Sequence, residues 1–136
     1  MTKEENQFKY EKVLLVDDND IDNFINERMI TTSNFSRTVV VKNSAENALE
    51  YLRKLTGNVA DYPAVIFLDL NMPVMDGFQF LEEYNNLSDV IKNHCKVIVL
   101  SSSISPEDIN RASSNPYVKK YLNKPLGEKY LKAIFF

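Results

Sequence analysis

Ala64-Val65-Ile66-Phe67-Leu68-Asp69-Leu70-Asn71-Met72-Pro73-Val74-Met75-Asp76-Gly77 decides the fold. A continuous apolar run ends on a carboxylate, then Pro73 and the Asp76-Gly77 pair punctuate a turn before a helical period begins. Unbroken apolar strands of this kind belong inside parallel sheets, which are covered on both faces. Three other runs end the same way. Val13-Leu14-Leu15-Val16 leads into Asp17-Asp18, Val97-Ile98-Val99-Leu100 into Ser101, and Val118 with Tyr121-Leu122 into Lys124-Pro125. As parallel strands of one sheet they bring these groups out at one edge, the carboxyl ends, where open α/β sheets build their sites.

Helical periods fill the gaps between the strands. Ile21, Phe24, Ile25, Arg28 and Met29 recur at three- and four-residue spacing, which predicts a first helix with Asp22, Asn23 and Asn26 facing outward. Thr38 to Lys42, with its three valines, supplies another strand. Ser44 caps a second helix whose stripe is Ala45, Ala48, Leu49, Leu52 and Leu55, with Gly57-Asn58 as its stop. A third helix starts near Gly77, with Phe78 and Leu81 inward and Phe80 and Tyr84 flanking. Ser105-Pro106-Glu107-Asp108 opens a fourth: a hydroxyl cap, Pro at the first position, and acids at the positive end of the dipole. The last runs from about Gly127 to the terminus, with Tyr130, Leu131 and Ile134 toward the sheet. The order is (βα)5, an α/β class with a doubly wound parallel sheet.

At 136 residues the chain suits one domain, with residues 1–10 as a loose lead-in and 11–136 as the folded unit. A net charge of −3 gives no basic face for nucleic acid, so direct DNA binding is not expected. No apolar stretch approaches the roughly 20 residues that cross a bilayer, and the polar start lacks the apolar centre of a signal peptide. A single cysteine, Cys95, fits a reducing cytoplasm. With the only histidine, His94, beside it, there are too few ligands there for a metal centre.

Acids at a strand-to-helix turn commonly just cap the helix, and Asp17-Asp18 alone would be read that way. Asp69 on a neighbouring strand changes this, because three carboxylates then converge. At about 4 Å each like-charge pair repels by ~1–4 kcal/mol between water and a protein surface. A hard divalent cation such as Mg²⁺ relieves that repulsion through oxygen ligands. Asp18 is the choice for direct ligation, Asp17 for contact through water, and Asp69 for both ligand and nucleophile. Lys124 is a flexible point charge suited to a phosphate, and the Ser101 hydroxyl is a donor for a phosphoryl oxygen.

Asp17-Asp18, the stretch from Asp69 to Gly77, Ser101 and Lys124-Pro125 together resemble the receiver domain of two-component response regulators, in the same order from first strand to last helix. The resemblance implies a flavodoxin-like strand order 2-1-3-4-5 and phosphorylation of Asp69 by a histidine kinase or a histidine phosphotransfer protein. It also implies an Mg²⁺ ligand from the backbone carbonyl of Asn71, a cis bond before Pro125, and a switch pair of Ser101 and Tyr121. The output surface it implies is the face of the fourth helix, fifth strand and last helix, read by an unknown partner. Such a module is not an enzyme beyond its own phosphorylation and dephosphorylation. Asn71 and Ser103, each two residues beyond a site residue, overlook the phosphorus and tune the lifetime of the phosphate. Two stretches look extra: Thr56 to Pro63, and residues 86–95, which lengthen the third helix or its following loop.

One competitor uses the same parts. Haloacid-dehalogenase-like phosphatases combine an aspartate nucleophile, Mg²⁺, Ser/Thr and Lys, but carry a second Asp two residues after the nucleophile. Asn71 stands there in this chain, and the acid pair precedes the nucleophile. A receiver excised from a hybrid kinase or multidomain regulator is the other alternative.

Overall fold

The computed structural model describes residues 7–134. Its elements follow as β1 (Tyr10–Val16), α1 (Asp20–Thr32), β2 (Ser36–Lys42), α2 (Ala45–Arg53), β3 (Val65–Leu68), α3 (Gly77–Tyr84), α4 (Asp89–His94), β4 (Lys96–Ser101), α5 (Pro106–Ser113), β5 (Val118–Asn123) and α6 (Glu128–Lys132). All strand pairs are parallel, in the order β2-β1-β3-β4-β5. Strand alternation divides the core into two layers. Leu14, Val16, Ile66 and Leu68 point to one side, against the apolar stripe of α2 and against Phe80 and Tyr84 of α3. Val13, Leu15, Val65, Phe67, Ile98 and Leu100 point to the other, against Ile30 of α1 and Leu131 of α6. Each fully buried Leu, Ile or Phe contributes ~1.5–3 kcal/mol from apolar burial alone.

Capping explains several helix starts. Ser44, Ser88 and Ser105 each accept a backbone N–H with the side chain at an N-cap, and Asp76 forms a reciprocal box with Gln79. Gly77 follows Asp76 because a Cβ there would lie 2.6 Å from the Asp69 carbonyl oxygen and 2.7 Å from Leu70 Cα. The start of α3 thus packs directly onto the end of β3.

Several elements differ from their sequence expectation. Residues 86–95 do not extend the third helix; Ser88 caps a separate α4, and Thr56 to Pro63 contains a short 3-10 turn, Val59–Asp61. Helix α2 stops at Arg53, ahead of Gly57-Asn58. In α3, Phe80 and Tyr84 are core residues, whereas Phe78 is half-buried under the Arg111 guanidinium. Helix α6 ends at Lys132, and Tyr130 is exposed while Leu131 and Ile134 are buried.

The largest correction concerns α1. Asn23, Asn26 and Ile30 are buried, while Ile21, Phe24 and Ile25 stand 71%, 64% and 45% exposed. The helix has turned its polar residues to the protein, and the cause lies at the sheet edge. The Asn23 amide donates to the Asp17 carbonyl at 2.8 Å, and Asn26 Oδ1 accepts the Leu126 N–H at 3.2 Å. A buried backbone group without a partner costs about 1–3 kcal/mol, so these asparagines satisfy two loops that apolar side chains could not.

Candidate functional site

Asp17 directly follows β1 and is buried; Asp18, next in the chain, is exposed; Asp69 directly follows β3 and is buried. One carboxylate oxygen from each of the three lies within 4.8 Å of the others. Asp17 Oδ1 accepts the Asn19 N–H at 3.0 Å, whereas buried Oδ2 has no aligned hydrogen-bond donor. Its close neighbour is the Lys124 ammonium at 2.6 Å, an ion-pair contact. Lys124 also lies 2.9 Å from Asp22 Oδ2 and 3.7 Å from Asp69 Oδ2.

These neighbours set the charges. Burial first, and then the negative charges of Asp17 and Asp18, push the Asp69 carboxyl up to about 6, against the pull of Lys124 and of the Asn71 backbone N–H bonded to it. Burial draws the Lys124 ammonium down, but Asp17, Asp22 and Asp69 together hold it above the ordinary lysine range. The oxygens of the three acids are the type of donor a hard cation takes. Asn71 is exposed on the loop after β3.

Ser101 is fully buried at the end of β4, and its carbonyl accepts the Lys124 N–H at 3.0 Å. Its hydroxyl oxygen accepts the Ser103 N–H at 3.1 Å, which leaves its proton free to donate. The Ser103 carbonyl accepts both the Tyr121 hydroxyl, at 2.9 Å, and the Asn123 amide, at 3.2 Å. The Ser103 hydroxyl is turned to α5, donating to Asp108 at 2.8 Å. Tyr121 is half-buried against Leu70, Val99 and Ala112. The Lys124-Pro125 bond is cis.

Residues 13–136 match the response regulator receiver domain family. The chain belongs to that family. It is 32% identical over 120 residues to a probable methanogenesis regulatory protein, FilR2, of Methanothrix harundinacea, covering 88% of this chain and 76% of that one. A crystal structure of a two component response regulator from Cytophaga hutchinsonii superposes with a TM-score of 0.82 at 31% identity, over 90% of this chain and 92% of the other. A further match, the sensory/regulatory protein RpfC of Xanthomonas campestris, is far larger: 85% of this chain aligns with only 15% of it, at 29% identity. The receiver fold, with its strand order, and membership of two-component signalling follow from these likenesses. They favour no haloacid-dehalogenase-like phosphatase, and the Asn71 position argues against one.

The receiver's sequence revealed the strand-end residues but hid three polar ones. On the apolar period alone, Asp22, Asn23 and Asn26 read as an outward face. Asn23, Asn26 and Ile30 stand at helical spacing themselves, and that was the available signal. Cys95 is buried, and burial pushes its thiol up to about 12, away from the nucleophilic thiolate form. His94 packs edge-on against Tyr62. A cleft of 460 Å³ opens between Arg53, Tyr62, Asn86 and Ile91. It lies at the pole of the fold away from the acids and lacks their chemistry.

Proposed function

We propose that Asp69 of this receiver accepts a phosphoryl group from a phosphohistidine on a sensor histidine kinase or a histidine phosphotransfer protein. A bond forms from an Asp69 carboxylate oxygen to phosphorus as the nitrogen–phosphorus bond breaks, and the freed imidazole keeps the electron pair. The observation that carries the reading is three carboxylate oxygens within 4.8 Å, with the Lys124 ammonium 3.7 Å from Asp69. Positioning and charge neutralisation supply most of phosphoryl-transfer catalysis, and this cluster offers both. Bound Mg²⁺ would neutralise phosphoryl oxygens, held by Asp17, Asp18, Asp69 and the Asn71 carbonyl. Lys124 and the free Ser101 proton complete the cradle.

The partner's docking surface is the exposed apolar ridge of α1, Ile21, Phe24 and Ile25, beside the acids. Grouped exposed side chains of that size commonly mark protein contacts. Output leaves by the α5–β5–α6 face, where the Tyr121 and Asn123 bonds to the Ser103 carbonyl tie β5 to the loop after β4. Phosphorylation engages Ser101 and re-weights that tie, a population shift that needs only different affinities for the two arrangements. Asn71 and Ser103 govern how readily water reaches the phosphorus, so they set the lifetime of the signal. A cytoplasmic location fits the single buried thiol, and among the described residues no helix is long and apolar enough to cross a membrane.

The test is direct. Incubation with Mg²⁺ and acetyl phosphate, followed by mass mapping, should place one phosphoryl group on Asp69. Asp69→Asn should remain folded and unlabelled; label retained in that variant overturns the assignment.

A further inference from the structure

Lys124 is shared by an acid that stands outside the metal-binding group. Asp22 Oδ2 lies 2.9 Å from the ammonium, aligned as a charge-assisted hydrogen bond, while Asp69 Oδ2 is at 3.7 Å, beyond hydrogen-bonding distance. The Asp22 backbone is itself fixed, because its N–H donates to the Asn19 cap at 2.9 Å in the first turn of α1. The Lys124 side chain is 12% exposed and the Asp22 side chain 35%, so this contact is partly shielded from water.

We propose that Asp22 is a positioning residue that holds the Lys124 ammonium toward α1 until a phosphoryl group on Asp69 draws it away. This rests on the reading of Asp69 as acceptor. A phosphoryl group brings three strong acceptor oxygens and added negative charge to Asp69. The ammonium has three N–H donors and already lies 2.6 Å from Asp17 and 2.9 Å from Asp22, so turning toward the phosphoryl oxygens draws it from Asp22, and the Asp22 contact opposes the phosphorylated arrangement. It also gives the ammonium a counter-charge away from the three acids when a cation occupies them. Asp22 thereby sets how far the site favours its charged adduct, without touching that adduct.

Beryllofluoride, a stand-in for the phosphoryl group, provides the test when titrated calorimetrically in excess Mg²⁺. Asp22→Asn should bind it about three- to tenfold more tightly than the native chain, the range for a partly shielded charged contact. Asp22→Glu, which keeps the carboxylate, should stay within about twofold. The side-chain ammonium resonance of Lys124 should shift in free Asp22→Asn. A structural contribution of Asp22 to α1 would lower the melting temperature but would not tighten binding. Unchanged or weaker affinity in Asp22→Asn overturns the proposal, and so does tighter binding without the ammonium shift, which would mean direct repulsion by Asp22. If instead Asp69→Asn binds the mimic as well as the native chain, the acceptor reading itself is wrong.

Discussion

Helices α1 and α2 flank the same edge of the sheet, yet they obey opposite rules. Helix α2 buries Ala45, Ala48, Leu49 and Leu52, the stripe its spacing predicts. Helix α1 buries two asparagines and leaves Ile21, Phe24 and Ile25 to solvent. The difference lies in what each helix covers. Helix α2 lies over the apolar flank formed by Leu14, Val16 and Tyr62, where only area removed from water matters. Helix α1 begins two residues after Asp18 and must also satisfy the carbonyl of Asp17 and the N–H of Leu126, so hydrogen-bonding demand sets its rotation. A helix beside a site is oriented by the site's backbone and keeps its apolar residues for something else.

The sharpest way to break this contrast is to cut the same kind of side chain from both helices. Leu52→Ala removes a fully buried side chain from α2 and should lower unfolding free energy by about 2–5 kcal/mol. Chemical denaturation with an unchanged slope against denaturant would measure it cleanly. A loss under about 1 kcal/mol would mean that α2 does not anchor its flank and that the two helices are not so different.

Asn26 tests the other half of the contrast. If α1 were held by apolar burial, Asn26→Leu would be neutral or stabilising. Because Asn26 Oδ1 receives the buried Leu126 N–H, the change should instead cost about 1–3 kcal/mol. It should also loosen the turn that carries Lys124, seen as faster amide exchange at Leu126. Stability equal to the native chain with unaltered exchange would show that water or another acceptor replaces the asparagine.

The same contrast explains what was legible beforehand. Strand order aside, the sheet is legible as four apolar runs and the valine-rich Thr38 to Lys42, and the rim follows because each of the four runs leads to a chemical group: Asp17, Asp69, Ser101, or Lys124 just beyond β5. Helix α2 was equally plain, since its period and its burial coincide. What stayed hidden depended on bonds between distant residues. Asn26 meets Leu126, Asp22 meets Lys124, and Asn123 meets Ser103 across spans that no local period records. Helix α4 was hidden for a different reason: at six residues it is too short to show a period, and its start rests on the Ser88 cap.

Phe24 gives the smallest effect on stability and the most specific one on function. It is 64% exposed on α1, so Phe24→Ser removes little buried area and should change unfolding free energy by no more than about 0.5 kcal/mol. Transfer to Asp69 from acetyl phosphate, which needs no protein surface, should proceed at the native rate. Transfer from a phosphorylated histidine partner should fall, because an aromatic anchor at the centre of an interface commonly contributes 2 kcal/mol or more, roughly thirtyfold in affinity. The comparison is internal: one variant, two donors, one acceptor. Equal slowing with both donors would place the defect in the acid pocket. No slowing with either would mean that the partner does not use the α1 ridge, and the exposed isoleucines beside Phe24 would need another explanation.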